Sequence, residues 1–359
     1  MITVTKAFIP ESDKLNERLN QVWQSGFLTN NGPQLRSLEE RLSLFLDVPG
    51  FQLVSNGTIA IQIAMRALGM HTGGKILTTP YSYVATTNSI LWENCKPVFV
   101  DIDPGTFNVN PDLIEGLVDK DVVGMLFTHV YGNPCDVEKI ESLALKHNLP
   151  VIYDAAHAFG IKYKGKSILN FGNMSTLSFH ATKIFHMVEG GAIVTTDLSK
   201  MEELFLLKSF GHRGDNYFQL GINGKNSEVH AAVGHCVLDC IDEIFLQRKI
   251  QWERYHDAFN DLQHCLTLKI RPEVSYNYSY FPFVFPSEKK LLDVMDILKG
   301  EGIIPRRYFF PSLDELPFCE GNKCPVSQDI SRRVICLPLY HTLQEFDQLR
   351  IIDLIKSNL

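Results

Sequence analysis

The chain has 359 residues with 45% hydrophobic content, enough for one large domain and an appended smaller one. Its formal net charge of -7, with no long basic or acidic run, gives no reason to expect nucleic acid or a membrane surface as partner and favours small-molecule chemistry. The opening "MITVTKAFIPESDKL" lacks the basic cap and apolar core of a secretory signal, and no window reaches bilayer-spanning length, so a cytoplasmic location is expected.

In chain order, short apolar runs predict strands at 51–55 ("FQLVS"), 75–79, 97–102, 122–130, 150–156 ("PVIYDAA"), 175–180 ("STLSFH") and 191–196 ("GAIVTT"). Gly, Pro and Asn bound them, and most are apolar on both faces, which suits strands buried between helix layers. Helix-like stretches such as 57–70 and 136–148 lie between them, an alternation that predicts an α/β domain with a mostly parallel sheet. After 198–211 a polar, Gly- and Asn-rich loop leads into a long helical region over 227–262. The domain boundary is expected inside that region: a large domain over 1–240 and a small C-terminal α+β domain over 241–359. The small one would include "SYFPFVF" (279–285), a helix over 288–302 and "IIPRRYFFP" (303–311).

The eight cysteines are scattered without a CxxC framework and read as reduced thiols. Cys319 and Cys324, in "CEGNKC", lack a second ligand pair, so no metal site is expected.

Ligands of open α/β sheets gather at the carboxyl ends of strands, and three features fall there. In "VSNGTIAI", Asn56, Gly57 and Thr58 stand between a strand and a helix, either as a phosphate cradle or as an ordinary turn with Thr58 capping the helix. In "VIYDAAHAFG", Asp154 ends an apolar strand, either capping a helix or holding a heterocyclic nitrogen protonated, with His157 placed to touch the same ring. In "SFHATKIFHMVEGG", Lys183 sits among apolar residues. It is either a snorkelling surface lysine or an amine whose pKa falls through desolvation, leaving it a nucleophile able to form a Schiff base. Together the three supply what pyridoxal 5′-phosphate (PLP) needs: a phosphate anchor, a partner for the pyridinium nitrogen and an imine-forming lysine.

Through "YDAAHAFG", "SFHATKIFHMVEGGAIVTT", "LTNNGPQLRSLEERL" and "CLPLYHTL", the whole chain resembles the nucleotide-sugar aminotransferases of the DegT/DnrJ/EryC1/StrS family. The resemblance implies the PLP fold type I, aspartate-aminotransferase-like α/β architecture. It implies that Lys183 carries the Schiff base, that Asp154 faces the pyridinium nitrogen, and that His157 lies against the ring or its phenolic oxygen. Tyr83 would stack on the ring, and Gly57, Thr58 and Ser178 would hold the phosphate. Asn223 would reach the phosphate of a neighbouring subunit, making the active unit a homodimer with active sites at the interface. The family's usual Tyr-Arg after that asparagine is replaced here by Gly224 and Lys225. Thr29, Arg306, Arg307 and Tyr308 are candidate substrate contacts, the arginines for a diphosphate, although a solvated basic turn explains them almost as well. His186, in a loop more apolar than the family's usual one, either tunes substrate fit or packs.

The implied reaction moves an amino group from L-glutamate to a nucleotide-linked keto sugar. "SFH" before the lysine and "EGG" after it favour C4 of a 4-keto-6-deoxyhexose, such as dTDP-4-keto-6-deoxyglucose giving dTDP-4-amino-4,6-dideoxyglucose for surface polysaccharide. The alternatives are a 3-keto-sugar aminotransferase, a dehydratase with histidine in place of the lysine, a non-catalytic PLP-binding regulator, and a metal hydrolase built on His180, His186 and Glu189.

Overall fold

A computed structural model describes residues 1–70 and 73–359. Its centre is a seven-stranded sheet of β1 (Gly50–Val54), β2 (Lys75–Thr78), β3 (Lys96–Phe99), β4 (Val122–Thr128), β5 (Val151–Asp154), β6 (Met174–Ser178) and β7 (Gly191–Thr195), in the spatial order β1-β7-β6-β5-β4-β2-β3. Neighbours run parallel except β7, which is antiparallel to both β1 and β6. Every residue of β1, β5 and β7 is buried, as strands covered on both faces must be.

The observed strands stop short of the apolar runs. Those runs extend to 130, 156 and 180, whereas β4, β5 and β6 end at Thr128, Asp154 and Ser178. The surplus residues leave the sheet at its carboxyl edge, where Ala156 and His180 join the lining of a cavity.

The helices are α1 (Ser12–Ser25), α2 (Pro33–Leu46), α3 (Gly57–Ala67), α4 (Val84–Trp92), α5 (Val137–His147), α6 (Met201–Lys208), α7 (Glu228–Asp239), α8 (Ile241–Phe259), α9 (Glu288–Gly300), α10 (Pro325–Arg333) and α11 (Glu345–Lys356). α3 presents Ala60, Ile61, Ile63, Ala64 and Met65 to a core that includes Ile76, Leu126 and Ile152 of the sheet. On the opposite side α2 packs Leu35, Leu38, Leu42 and Leu46 into the main core with Phe51, Leu53 and Leu177. Leu35, Leu38, Leu42 and Leu46 recur at helical spacing, which is why one stripe of α2 is buried while Leu44 stays exposed.

The helical region over 227–262 is two helices, broken at Cys240. Packing changes hands inside α8 rather than at 240/241: Ile241 and Ile244 belong to the main core, while Trp252, Tyr255 and Phe259 belong to a second one. That second core lies on a three-stranded antiparallel sheet of Leu266–Thr267, β8 (Phe281–Val284) and β9 (Val334–Leu337), closed by α9 and α11. The small unit also draws on the start of the chain, since Ile2 and Thr3 pair in parallel with Ile303 and Ile304. A division drawn by sequence position alone misses that contribution. Among the described residues, no helix is long and apolar enough to cross a membrane.

Candidate active site

The carboxyl edge of the sheet opens on a cavity of ≈ 510 Å³. Of the residues singled out from sequence, Gly57, Thr58, Tyr83, Asp154, His157, Ser178, Lys183, Arg306 and Tyr308 line it. They come from five separate stretches of chain, so this convergence is a product of the fold.

One end of the cavity is the start of α3. Asn56 caps the helix, its Oδ1 accepting from Ile59 N at 2.9 Å, and Thr58 therefore stands inside the first turn with its side chain free for the cavity. The capping alternative for Thr58 is thereby removed. Gly57 is required by close approach: a Cβ there would lie 2.9 Å from Ser178 Cβ, so only glycine lets the helix rest on the end of β6. Gly191 serves the same join, since a Cβ on it would come within 2.5 Å of the Asn56 carbonyl carbon. From below, the turn is braced by Ser55 N donating to Gly224 O at 2.8 Å and by Asn226 Nδ2 donating to Val54 O at 3.2 Å. A helix N-terminus held this way directs its first N–H groups and its positive dipole end toward an anion.

Asp154 is buried at the end of β5. Its Oδ2 accepts from Thr86 Oγ1 at 2.7 Å and its Oδ1 from Ala156 N at 3.1 Å. Thr86 is itself tied to Ser82 Oγ at 2.8 Å, and Ser82 to Thr128 Oγ1 at 2.9 Å. Burial pushes the carboxyl pKa up, while the Thr86 and Ala156 hydrogen bonds and the Lys183 charge hold it down. Sequence reasoning missed Thr86, though a signal existed: in "YVATT" it lies three residues after Tyr83, one helical turn along.

His157 is buried, and desolvation holds its pKa well below the ordinary value. Tyr131 N donates to its Nδ1 at 3.2 Å, which leaves the ring proton on Nε2. The imidazole is fixed as a neutral donor between Tyr280, 4.8 Å away, and Phe309, stacked at 5.8 Å.

Lys183 follows a tight turn in which its own N–H donates to His180 O at 2.9 Å. Burial of the amine pushes its pKa down to about 8, and the charge of Asp154 offsets only part of this. The reading as a snorkelling surface lysine does not survive: Lys183 lines the cavity, and the two residues that follow it, Ile184 and Phe185, are buried.

Four expected residues lie elsewhere. His186 is buried in the wall, its Nε2 bonded to Phe8 O at 2.8 Å, so packing accounts for it. Arg307 turns away from the cavity because Glu288 at 2.8 Å and the Arg332 carbonyl at 2.8 Å hold its guanidinium over the Phe310 ring. Thr29 is exposed in the loop before α2, outside the cavity lining. Asn223 is also exposed and outside the lining, in a segment whose backbone bridges to Ser209. The hydrolase alternative fails on geometry: His180 and Glu189 lie 3.6 Å apart, but His186 is committed to Phe8.

The sequence matches the DegT/DnrJ/EryC1/StrS aminotransferase family over residues 10–356. The chain belongs to that family. It is 39% identical to a dTDP-4-amino-4,6-dideoxy-D-glucose transaminase of Shigella dysenteriae, over 95% of each chain, and 35% identical to one of Escherichia coli, over 99% of this chain and 98% of the relative. Among solved structures it resembles DesI, crystallised in the presence of its TDP-sugar product, with a TM-score of 0.93, 29% identity and coverage of 99% of this chain and 92% of DesI. Family membership makes the chain an aminotransferase, and the α/β architecture is that of its PLP-dependent structural relatives.

Proposed function

We propose that the protein is a PLP-dependent aminotransferase. It moves an amino group from L-glutamate to C4 of a nucleotide-linked 4-keto-6-deoxyhexose, and dTDP-4-keto-6-deoxyglucose, giving dTDP-4-amino-4,6-dideoxyglucose for surface polysaccharide, is the favoured acceptor. The observation that carries this reading is that the Lys183 amine, the buried Asp154 carboxylate and the N-terminus of α3 border one cavity. The names of the two transaminases similar over nearly the whole chain support the acceptor and the carbon.

The residues fit PLP. The α3 N-terminus with Thr58 and Ser178 suits its phosphate, Asp154 its ring nitrogen, His157 Nε2–H its phenolic oxygen, Tyr83 its ring face and Lys183 its aldehyde. Bound there, PLP supplies an aldehyde that captures amines and a ring that accepts electrons from the reacting carbon. Asp154 must be ionised to keep a ring nitrogen protonated, and Thr86 favours that form by donating to Oδ2, against the burial that opposes it. A lysine with a pKa of about 8 exists in both protonation states near neutral pH, so it can take a proton from the donor's α-carbon and return it one position along. Arg306, exposed at the cavity lining with its guanidinium 5.4 Å from the Tyr308 ring centroid, is placed for the nucleotide diphosphate.

The active unit of this reading is a homodimer working in the cytoplasm. Exposed Phe218, Leu220 and Ile222 adjoin exposed Asn223, and Leu220 and Ile222 border a second cavity of ≈ 450 Å³ beside exposed Trp92. An apolar patch of this kind is costly to leave in water. In this reading a second copy covers it, and Asn223 is offered to that copy's phosphate site.

Purified protein incubated with PLP is expected to be yellow, to bleach when L-glutamate is added, and to transfer nitrogen to dTDP-4-keto-6-deoxyglucose. Mass spectrometry and NMR of the product test this. Nitrogen at C3, or no nitrogen transferred to any nucleotide-linked keto sugar, would refute it.

A further inference from the structure

We propose that Arg248 forms an anion subsite beside Lys183, which seats the carboxylate on the reacting carbon of the amino donor. The inference rests on the aminotransferase reading and adds to it the group that recognises the donor.

Arg248 lies in α8 and is 3% exposed. Its Nη1 donates to Ser279 O at 3.0 Å, and its Nε has no partner among the described residues. Among the described residues no carboxylate pairs with it. The nearby titratable groups that bear on it or feel its charge are Tyr280 and His341. Other arginines differ: Arg66 meets Glu93, Arg307 meets Glu288 and Arg333 meets Asp329. A buried guanidinium without a counter-ion is expensive, and an arriving anion would offset that cost.

The position specifies the anion. Arg248 and Lys183 border the same recess, of ≈ 10 Å³, whose wall also includes Ser178, Thr182 and Ser279. That is room for about one water or one carboxylate oxygen. The recess shares Ala156, His157, Ser178, Thr182, Lys183 and Tyr280 with the main cavity, so a molecule in the cavity can place one small group in it. The lysine that takes the α-proton must lie beside the α-carbon, and the carboxylate bonded to that carbon falls within reach of whatever adjoins the lysine. A diphosphate is too large for the recess, and Arg306 stands at the lining of the main cavity instead. The planar fork of arginine matches a carboxylate, which a lysine at this position would not.

Glutarate carries the carboxylates of the donor but no amine, so it binds without reacting. Calorimetric titration of the PLP-treated full-length protein with glutarate is expected to show binding that glutaramide does not show. Arg248→Met should weaken glutarate by at least about thirtyfold and raise the KM for L-glutamate in parallel, and Arg248→Lys should weaken it less. Circular dichroism melting identifies which variants are folded. Unchanged glutarate affinity in either folded variant, or glutaramide binding as well as glutarate, overturns the subsite. Because glutarate binding needs no turnover, failure of wild-type protein to aminate any keto sugar would sink the aminotransferase reading separately, while an Arg248-dependent glutarate affinity would still uphold the subsite.

Discussion

Burial depresses the pKa of Lys208 and of Lys183, and their surroundings differ in kind. Lys208, at the end of α6, is 2% exposed, donates to Leu53 O at 2.9 Å and stands 3.3 Å from Glu39, whose carboxylate also accepts from Leu53 N at 2.7 Å. Two hydrogen bonds from its ammonium join α2, α6 and β1. Lys183 is half-buried and lacks that partnership: its charge is felt by Asp154, yet its amine is left to the cavity. Burial lowers the pKa of both. A depressed pKa therefore does not identify the reactive amine, whereas an unoccupied donor facing a cavity does.

Replacing each lysine should separate chemistry from stability. Lys183→Ala is expected to lower turnover by about 10²–10⁴-fold while leaving urea denaturation nearly unchanged. Borohydride reduction with PLP, followed by peptide mapping, should label residue 183 in the wild type. Thr86→Val removes the hydroxyl that donates to Asp154. A hydrogen bond to a charged group is worth about 1.5–3 kcal/mol, so kcat should fall about tenfold or more, with the fold retained and the pH profile moved. Lys208→Met should do the reverse of Lys183→Ala, costing about 1–3 kcal/mol in urea denaturation by removing the cation beside Glu39 and the ammonium donor to the Leu53 carbonyl. The smallest effect is on rate against pH. Capture of added PLP needs the neutral amine, which predominates above the Lys183 pKa of about 8. Stopped-flow rates of capture should rise about tenfold per unit as pH approaches that value from below, then level off. A plateau beginning near pH 10 would mean that Lys183 is no more perturbed than an ordinary lysine.

Much of this site was legible because the sheet and its edge are written locally. Apolar runs closed by Gly, Pro and Asn located the strands, and a polar residue at the end of such a run, Asp154, had to fall at the ligand edge. Lys183 announced itself by its apolar neighbours. Side-chain direction was not legible. Arg306 and Arg307 are adjacent, yet one reaches the cavity and the other is captured by Glu288, nineteen positions away. His186 resembled a substrate contact until Phe8, far upstream, supplied its hydrogen bond. Arg248 carried no signal at all, because a charge inside an amphipathic helix reads as a solvated face until the second core is packed against it. Asn56 and Thr58 compete for the same capping role on paper, and only the backbone path decides between them.

The continuity of α8 has a consequence for denaturation. One unbroken rod donates side chains to both greasy interiors, so neither can be emptied without stripping the other of its neighbours. Calorimetry should accordingly record one heat-absorption peak for the chain, where two lobes joined by a slack tether would give a pair.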